Sequence, residues 1–157
     1  MINRQTVLKV HRILAKAYGP LPRIGRGDPL GQLVETILSQ NTTDKNSNRA
    51  YLSLRRHFPE WPAVLKASDQ AVAASIRNGG LANIKAPRIK NVLRIILERE
   101  GSLSLRRLSR MSSAEATEYL TSLPGVGVKT AACVLLFTYR RPVMPVDTHV
   151  YRVTRRL

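Results

Sequence analysis

A lysine placed directly after a glycine-rich turn is the most chemically suggestive feature of this sequence. The stretch LPGVGVKTAACVL predicts a helix that ends at Leu123, a tight turn, and a second helix that starts near Val128. Glycine permits positive φ in such a turn. The first amides of the second helix lack carbonyl partners and attract phosphate. Lys129 stands in that first turn, either as a nucleophile in its neutral form or as an ordinary solvated helix residue.

An aspartate follows in a second unusual stretch, PVMPVDTHVYRV. Asp147 precedes a predicted helix, and aspartate is a preferred N-cap. A capping position holds the carboxylate rigidly, and a plain N-cap is the direct interpretation of Asp147. His149 and Arg152 lie on the same helix. His149 could contact phosphate or serve only in packing or capping.

The charge balance points to a polyanionic partner. The 157 residues include 26 basic and 10 acidic side chains, for a formal net charge of +16. Nucleic acid is the commonest partner of such a chain. Charge alone does not separate this interpretation from solubility or from a structural role like that of a ribosomal protein.

The single cysteine excludes several classes of site. Cys133 cannot form an internal disulfide or a cysteine-ligated metal cluster within this chain, so we expect no metal site. It fits a reducing compartment, and we expect a cytoplasmic protein, nucleoid-associated if prokaryotic. No apolar stretch is long enough to span a bilayer, and the N-terminus lacks the apolar core of a signal peptide.

Apolar residues recur at helical spacing along nearly the whole chain, and strand-like alternation is rare. The pattern predicts an all-α protein of nine or ten short helices. Asp28 and Pro29 mark one helix start, and Ser112 with Glu115 fits a capping box at another. The segment NGGLANIKAP is predicted as a turn, followed by a helix over residues 87–100.

Four stretches together resemble the endonuclease III superfamily of DNA glycosylases, with its helix-hairpin-helix and Gly/Pro…Asp signature. They are LPGVGVKTAACVL, PVMPVDTHVYRV, DPLGQLVETILSQNTTDKNSNRAY and GGLANIKAPRIKNVLRII, and the similarity extends over residues 5–157. The resemblance implies an all-α helix-hairpin-helix fold. Residues 1–22 would form the N-terminal helix of a second lobe, and 23–146 a barrel-like multi-helical domain with the hairpin at about 113–138. Residues 147–157 would begin the aspartate-bearing helix, leaving that lobe C-terminally incomplete.

The resemblance also implies an activity. Family members with a lysine at the position of Lys129 remove a damaged base and then nick the strand through a Schiff base and β-elimination. Asp147 matches the family's catalytic aspartate. The implied function is a DNA glycosylase with AP lyase activity, acting in base excision repair on oxidised pyrimidines. The alternative is a catalytically silent helix-hairpin-helix module that only binds DNA.

Several residues are predicted to contact DNA. A damaged base must leave the stack to react, and in the family a polar residue after the early helix fills the gap. Asn41 matches that residue best, and Gln40 is the near alternative; either could instead be part of a polar capping loop. The full predicted set of DNA contacts is Gly125, Val126, Gly127, Thr130, Asn41, Gln40, His149, Arg152 and Lys85.

The resemblance also bears on a cofactor and on binding partners. Longer relatives carry four cysteines after the aspartate helix that bind a 4Fe-4S cluster, and this sequence has no such cysteines. We therefore expect no cofactor in this chain. The expected partner is double-stranded DNA with damaged or abasic sites, bound by a monomer, with no membrane involved.

Overall fold

The computed structural model describes residues 3–19 and 27–157, and within them the regular structure is entirely helical. The prediction of an all-α fold is confirmed. The helices are α1 (Arg4–Tyr18), α2 (Pro29–Leu38), α3 (Asp44–His57), α4 (Trp61–Lys66), α5 (Asp69–Ser75), α6 (Ala82–Glu100), α7 (Ser113–Thr121), α8 (Val128–Tyr139) and α9 (Thr148–Thr154), with 3-10 turns at Arg77–Gly79 and Arg106–Arg110.

The chain divides into two compact units. One comprises Met1–Gly25 together with Val146–Leu157, and the other is the continuous segment Arg26–Pro145. The described part of the first unit contributes α1 and α9, neither of which has a buried residue. The second unit contains α2 to α8 and the whole hydrophobic core.

Helix starts in the second unit follow from local capping. The carboxylate of Asp28 accepts hydrogen bonds from the amides of Leu30 (3.1 Å) and Gly31 (3.0 Å) at the start of α2. Its Oδ2 atom also accepts the indole N–H of Trp61 at 3.2 Å. Asp28 therefore joins the start of α2 to the start of α4. The capping box predicted at Ser112 is also present.

The core is built on α2 and α8, which run antiparallel. Gln40, just after α2, donates to the carbonyl of Gly125, just before α8, while Pro29 and Tyr139 at the opposite ends line one common groove. The two helices contribute fully buried aliphatic side chains, and burial of each Leu, Ile or Val among them is worth about 1.5–3 kcal/mol. They are Leu30, Leu33, Val34, Ile37 and Leu38 of α2, and Ala131, Val134 and Leu135 of α8.

The predicted start of α6 is wrong by five residues. The helix begins at Ala82 rather than at residue 87, so it includes much of the segment predicted as a turn, and Pro87 lies inside it. Proline removes one backbone N–H from the helix. Pro87 and Asn83, whose carbonyl loses that bond, are both exposed, so water can satisfy the carbonyl and the helix continues.

We predict that Asp28→Ala lowers the free energy of unfolding by about 3 kcal/mol, because it removes a helix cap and leaves a buried indole N–H unpaired. Ser68→Ala is the matched control. Ser68 caps α5 through one bond to the amide of Ala71, and its loss should cost about 1 kcal/mol. Urea denaturation measures both. Equal losses would show that the bond to Trp61 contributes nothing.

Candidate functional site

The glycine-rich turn between α7 and α8 has an open helix end. Gly125 has φ +74°, in the left-handed region that favours glycine. Gly127 caps α8 without a side chain. The first hydrogen bond of the helical ladder runs from the amide of Ala131 to the carbonyl of Gly127, at 3.0 Å. The amides of the preceding residues, Val128 to Thr130, therefore point out of the helix end, where an anion could accept them.

Two predicted contacts in this turn are buried. The Val126 side chain is 5% exposed, and its amide donates to the carbonyl of Leu123 at 3.1 Å. The Thr130 side chain is also 5% exposed. Val126 therefore anchors the turn in the core, and Thr130 offers only its backbone amide. A side-chain contact with DNA at either residue is not compatible with this burial.

Lys129 lines a pocket of about 530 Å³ in the second unit. The side chain is half-buried. Cys133 and Phe137 follow at intervals of one helical turn and lie on the same face of α8. The opposite walls come from α2, its C-cap Ser39, and the first turns of α3, and they are mainly polar. They consist of Gln32, Glu35, Thr36, Ser39, Asp44, Lys45, Ser47 and Asn48.

Glu35 is a candidate site residue that the sequence analysis missed. Its carboxyl group is half-buried in the Lys129 pocket, and this burial raises its pKa above the usual range. A carboxyl group that keeps its proton closer to neutral pH is suited to proton transfer. One signal in the sequence could have indicated this residue. Glu35 is the single charged residue in the run LVETIL, where the other residues except Thr36 are apolar, and the run lies just before the polar loop.

Gln40 and Asn41 have different environments. The Gln40 amide nitrogen donates to the carbonyl of Gly125 at 3.1 Å, and its amide oxygen accepts from Nη1 of Arg88 at 3.0 Å. Asn41 is exposed and has φ +54°, a left-handed conformation that asparagine tolerates better than most residues. The Gln40 side chain is thus held in place by two hydrogen bonds, whereas the Asn41 side chain is presented to solvent.

Lys85, which the sequence analysis predicted as a DNA contact, is buried in the structure. The side chain is 2% exposed, and its ammonium donates to the carbonyls of Leu38 (2.6 Å) and Gly79 (2.9 Å). Burial, followed by the neighbouring charge of Arg88, lowers the pKa of Lys85. A buried ammonium needs such partners, and here they hold it away from solvent. The positive charge in the sequence gave no sign of this burial.

Asp147 caps α9 in the first unit. Its Oδ1 atom accepts the amides of His149 (2.9 Å) and Val150 (2.8 Å). One turn further on, Nη2 of Arg152 donates to Nδ1 of His149 at 3.1 Å. Asp147, His149 and Arg152 are all exposed. The predicted capping role of Asp147 is confirmed. Asp147 and His149 lie at the start of this short helix, and Arg152 lies in its last turn.

The residues of this chain do not fit an iron–sulfur cluster. Such clusters are ligated by four thiolates or by a mixture of thiolates and imidazoles. The sequence has one cysteine, Cys133, which is buried within α8. Residues 3–19 and 27–157 contain no group of three or more His, Cys, Asp or Glu side chains placed to hold a metal ion.

Across the same ranges, no helix combines the length and the apolar character needed to cross a membrane.

Known proteins resemble this chain in sequence and in structure. A candidate DNA glycosylase of Arabidopsis thaliana is 44% identical over 128 residues, which is 82% of this chain and 44% of that protein. Endonuclease III of Thermotoga maritima is 35% identical over 130 residues, or 83% of this chain and 57% of that protein. This chain therefore spans about half the length of these two relatives.

Solved structures agree with this similarity. A trapped covalent intermediate of endonuclease III with DNA superimposes with a TM-score of 0.80 and 27% identity, covering 100% of this chain and 70% of the other. Residues 34–157 match the HhH-GPD superfamily base excision DNA repair protein profile. The match includes the glycine-rich turn, Lys129 and Asp147. The resemblance to the endonuclease III superfamily is thus confirmed, and the chain belongs to the HhH-GPD superfamily of base excision DNA repair proteins.

Proposed function

We propose that the protein is a DNA glycosylase with AP lyase activity that removes oxidised pyrimidines. The observation that carries the proposal is the position of Lys129. It stands in the first turn of α8, after an open glycine turn suited to phosphate, and lines a pocket of about 530 Å³ whose lining residues are mostly of polar type. The glycosylase class is further supported by the superfamily match, and the lyase step by the lysine itself.

The amine of Lys129 supplies the nucleophile in this proposal. It attacks C1′ of the damaged nucleotide, the glycosidic C–N bond breaks, and the base leaves with the bonding electrons and takes up a proton. The C1′–O4′ bond then breaks as a C=N bond forms, and O4′ takes up the proton that nitrogen loses, which opens the sugar and produces a Schiff base. Removal of a C2′ proton then expels the 3′ phosphate, which nicks the strand. The attack needs a neutral amine, and the later steps need a group that moves protons.

Glu35 is the group we propose for proton transfer inside the pocket. Its raised pKa increases the fraction of neutral acid near physiological pH, so it could give a proton to the departing base. The resulting carboxylate could then accept the proton that the lysine nitrogen or C2′ loses. Asp147 is proposed to stabilise the positive charge that develops on the sugar, and its cap bonds hold the carboxylate in place.

Duplex DNA is the proposed partner. The open amides at the start of α8 would bind backbone phosphate, which positions the protein without reading sequence. The net charge of +16 adds a salt-dependent attraction. The damaged nucleotide would leave the stack to reach Lys129, and Asn41 would fill the gap. Monomeric action in the cytoplasm, without a resident cofactor, remains part of this proposal.

We predict that Lys129→Ala abolishes strand nicking and Schiff-base trapping while DNA affinity stays within about threefold, because binding rests on many charges. The assay is borohydride trapping on duplexes that contain an abasic site or thymine glycol. Lys45→Ala is the matched control, since Lys45 lines the same pocket, and its covalent band should persist. Nicking by Lys129→Ala at the wild-type rate would show that another group is the nucleophile.

The same assay distinguishes the proposed glycosylase and lyase from the second candidate function, a protein that only binds DNA. A wild-type chain that binds DNA in a salt-sensitive manner, without a covalent band and without base release, would be a DNA-binding module.

A panel of duplexes with oxidised pyrimidines, oxidised purines and uracil tests the proposed substrate class. Preferential release of a purine would overturn the assignment to oxidised pyrimidines and leave the lysine mechanism intact.

Asp147→Asn should separate capping from catalysis. Asparagine is about as good an N-cap as aspartate, but it lacks the negative charge. We expect the single-turnover excision rate to fall by about 100-fold or more with little change in thermal stability. Asp147→Ala should lose a similar rate and in addition about 1 kcal/mol of stability. Full activity in Asp147→Asn would restrict Asp147 to its role as a cap.

Glu35→Gln should change both pH dependence and rate. Because burial raises the pKa of Glu35, the ionised carboxylate destabilises the native state near neutral pH. The variant should therefore be more stable than wild type near pH 7, and the difference should vanish below the unfolded-state pKa of 4.5. Excision should slow by about 100-fold. Denaturant unfolding across this pH range measures the first effect, and a difference that grows at low pH would contradict it.

A further inference from the structure

We infer that Arg88 and Gln40 are positioning residues that tie the Asn41 loop to the glycine-rich turn, so that the two move as one body on DNA. The inference rests on the proposed function, in which the turn binds phosphate and Asn41 fills the gap left by the damaged nucleotide. It concerns three segments of the second unit: the loop after α2, the first turns of α6, and the turn before α8.

The bridge is a chain of two hydrogen bonds. Nη1 of Arg88 donates to the Gln40 amide oxygen at 3.0 Å, and the Gln40 amide nitrogen donates to the carbonyl of Gly125 at 3.1 Å. Both ends of the Gln40 amide are engaged, each in the role that its chemistry allows. Gln40 thus joins residues that are far apart in sequence, and insertion of its side chain into DNA would break both bonds.

Close packing accompanies the hydrogen bonds. A Cβ atom placed on Gly125 would lie 2.5 Å from Cδ and 2.6 Å from Nε of Arg88. The stem and head of Arg88 therefore lie directly against the turn. Gly125 is needed there for its positive φ and also for the space that Arg88 occupies. Arg88 contacts the turn itself and, through Gln40, the loop.

Lys85 secures the same loop one helical turn earlier on α6. Its ammonium binds the carbonyl of Leu38, the last residue of α2. The loop that begins at Ser39 is thus held at its origin by Lys85 and at Gln40 by Arg88. The next residue, Asn41, has φ +54° and an exposed side chain. Anchors directly before an exposed side chain in a left-handed conformation are what a rigid wedge requires.

This arrangement assigns different tasks to the two candidates for the gap-filling residue. Gln40 fixes the distance between the loop and the phosphate-binding turn, and Asn41 enters the helix stack. Because the turn sets the register on the backbone, a rigid link makes Asn41 arrive opposite the nucleotide that Lys129 attacks. Without the link, phosphate binding would persist while insertion became less frequent.

The test uses the full chain and a duplex in which 2-aminopurine lies opposite a tetrahydrofuran abasic analogue. This analogue has no aldehyde and cannot form a Schiff base, so the fluorescence rise on binding reports unstacking independently of Lys129 chemistry. The variants are Gln40→Ala, Arg88→Ala, their double mutant and Arg88→Lys. Gln70→Ala and Arg94→Ala are matched controls: Gln70 is an exposed glutamine of α5, and Arg94 is an exposed arginine of α6 that donates to Asn91.

We expect each bridge variant to lower the ratio of unstacked to stacked complex by about fivefold at saturating protein. The double mutant should lose no more than either single variant, because both break one unit. Arg88→Lys should recover part of the signal, since an ammonium can still donate to Gln40. The two controls should match wild type, and Asn41→Ala should lose the signal as well.

Wild-type fluorescence in Gln40→Ala, or losses that add in the double mutant, would overturn the inference. So would a wild-type complex that forms without any fluorescence rise. The proposed function is judged separately by borohydride trapping on a natural abasic site. A covalent band together with unchanged fluorescence in the variants would leave the lyase proposal standing and remove the bridge. The reverse result would retain the bridge in a protein that only binds DNA.

Discussion

Antiparallel packing of α2 on α8 is the constraint on which the second unit depends. Both helices contribute fully buried aliphatic side chains to the core, and their contact leaves the end of α2 beside the start of α8. That single juxtaposition places Glu35 and Lys129 on the walls of one pocket. It also brings Gln40 to the carbonyl of Gly125. The hydrophobic effect thus positions polar groups that are far apart in sequence.

Hydrogen bonds from α6 then fix the position of the loop after α2, which the apolar core alone does not fix. The first turns of α6 supply two cations, and each has a different task. Lys85 is buried, and the cost of burying its ammonium is offset by hydrogen bonds to two backbone carbonyls. Arg88 remains half-buried and reaches Gln40. One helix start therefore stabilises the loop after α2 and contacts the turn before α8.

The pocket combines a carboxyl group whose pKa is raised by burial with a lysine side chain. A half-buried carboxyl group and a lysine amine on opposite walls can exchange charge with a substrate at little reorganisation cost. The open amides of α8 lie next to this chemistry, because Lys129 belongs to the same first turn. In the proposed function, the attraction for the DNA backbone and the nucleophile would both be consequences of one helix start.

Much of the architecture was predictable because it depends on short-range patterns. The glycine-rich turn, the caps at Asp28, Ser112 and Asp147, and the helical class all follow from neighbouring residues. The start of α6 was not predictable in this way. Its first turn begins at Ala82, five residues before Pro87, and a proline normally indicates a helix start or a break.

Local chemistry therefore identified Lys129 and Asp147 as candidates, since a turn or a cap needs only a few adjacent residues. Tertiary packing decided the rest: that Lys85 is buried, that Glu35 faces the Lys129 pocket, and that Gln40 is engaged while Asn41 is exposed. The physical reason is that burial and long-range hydrogen bonds depend on which helix faces which. The spacing of apolar residues in the sequence indicates which face of a helix is buried, but it does not indicate which other helix packs against that face.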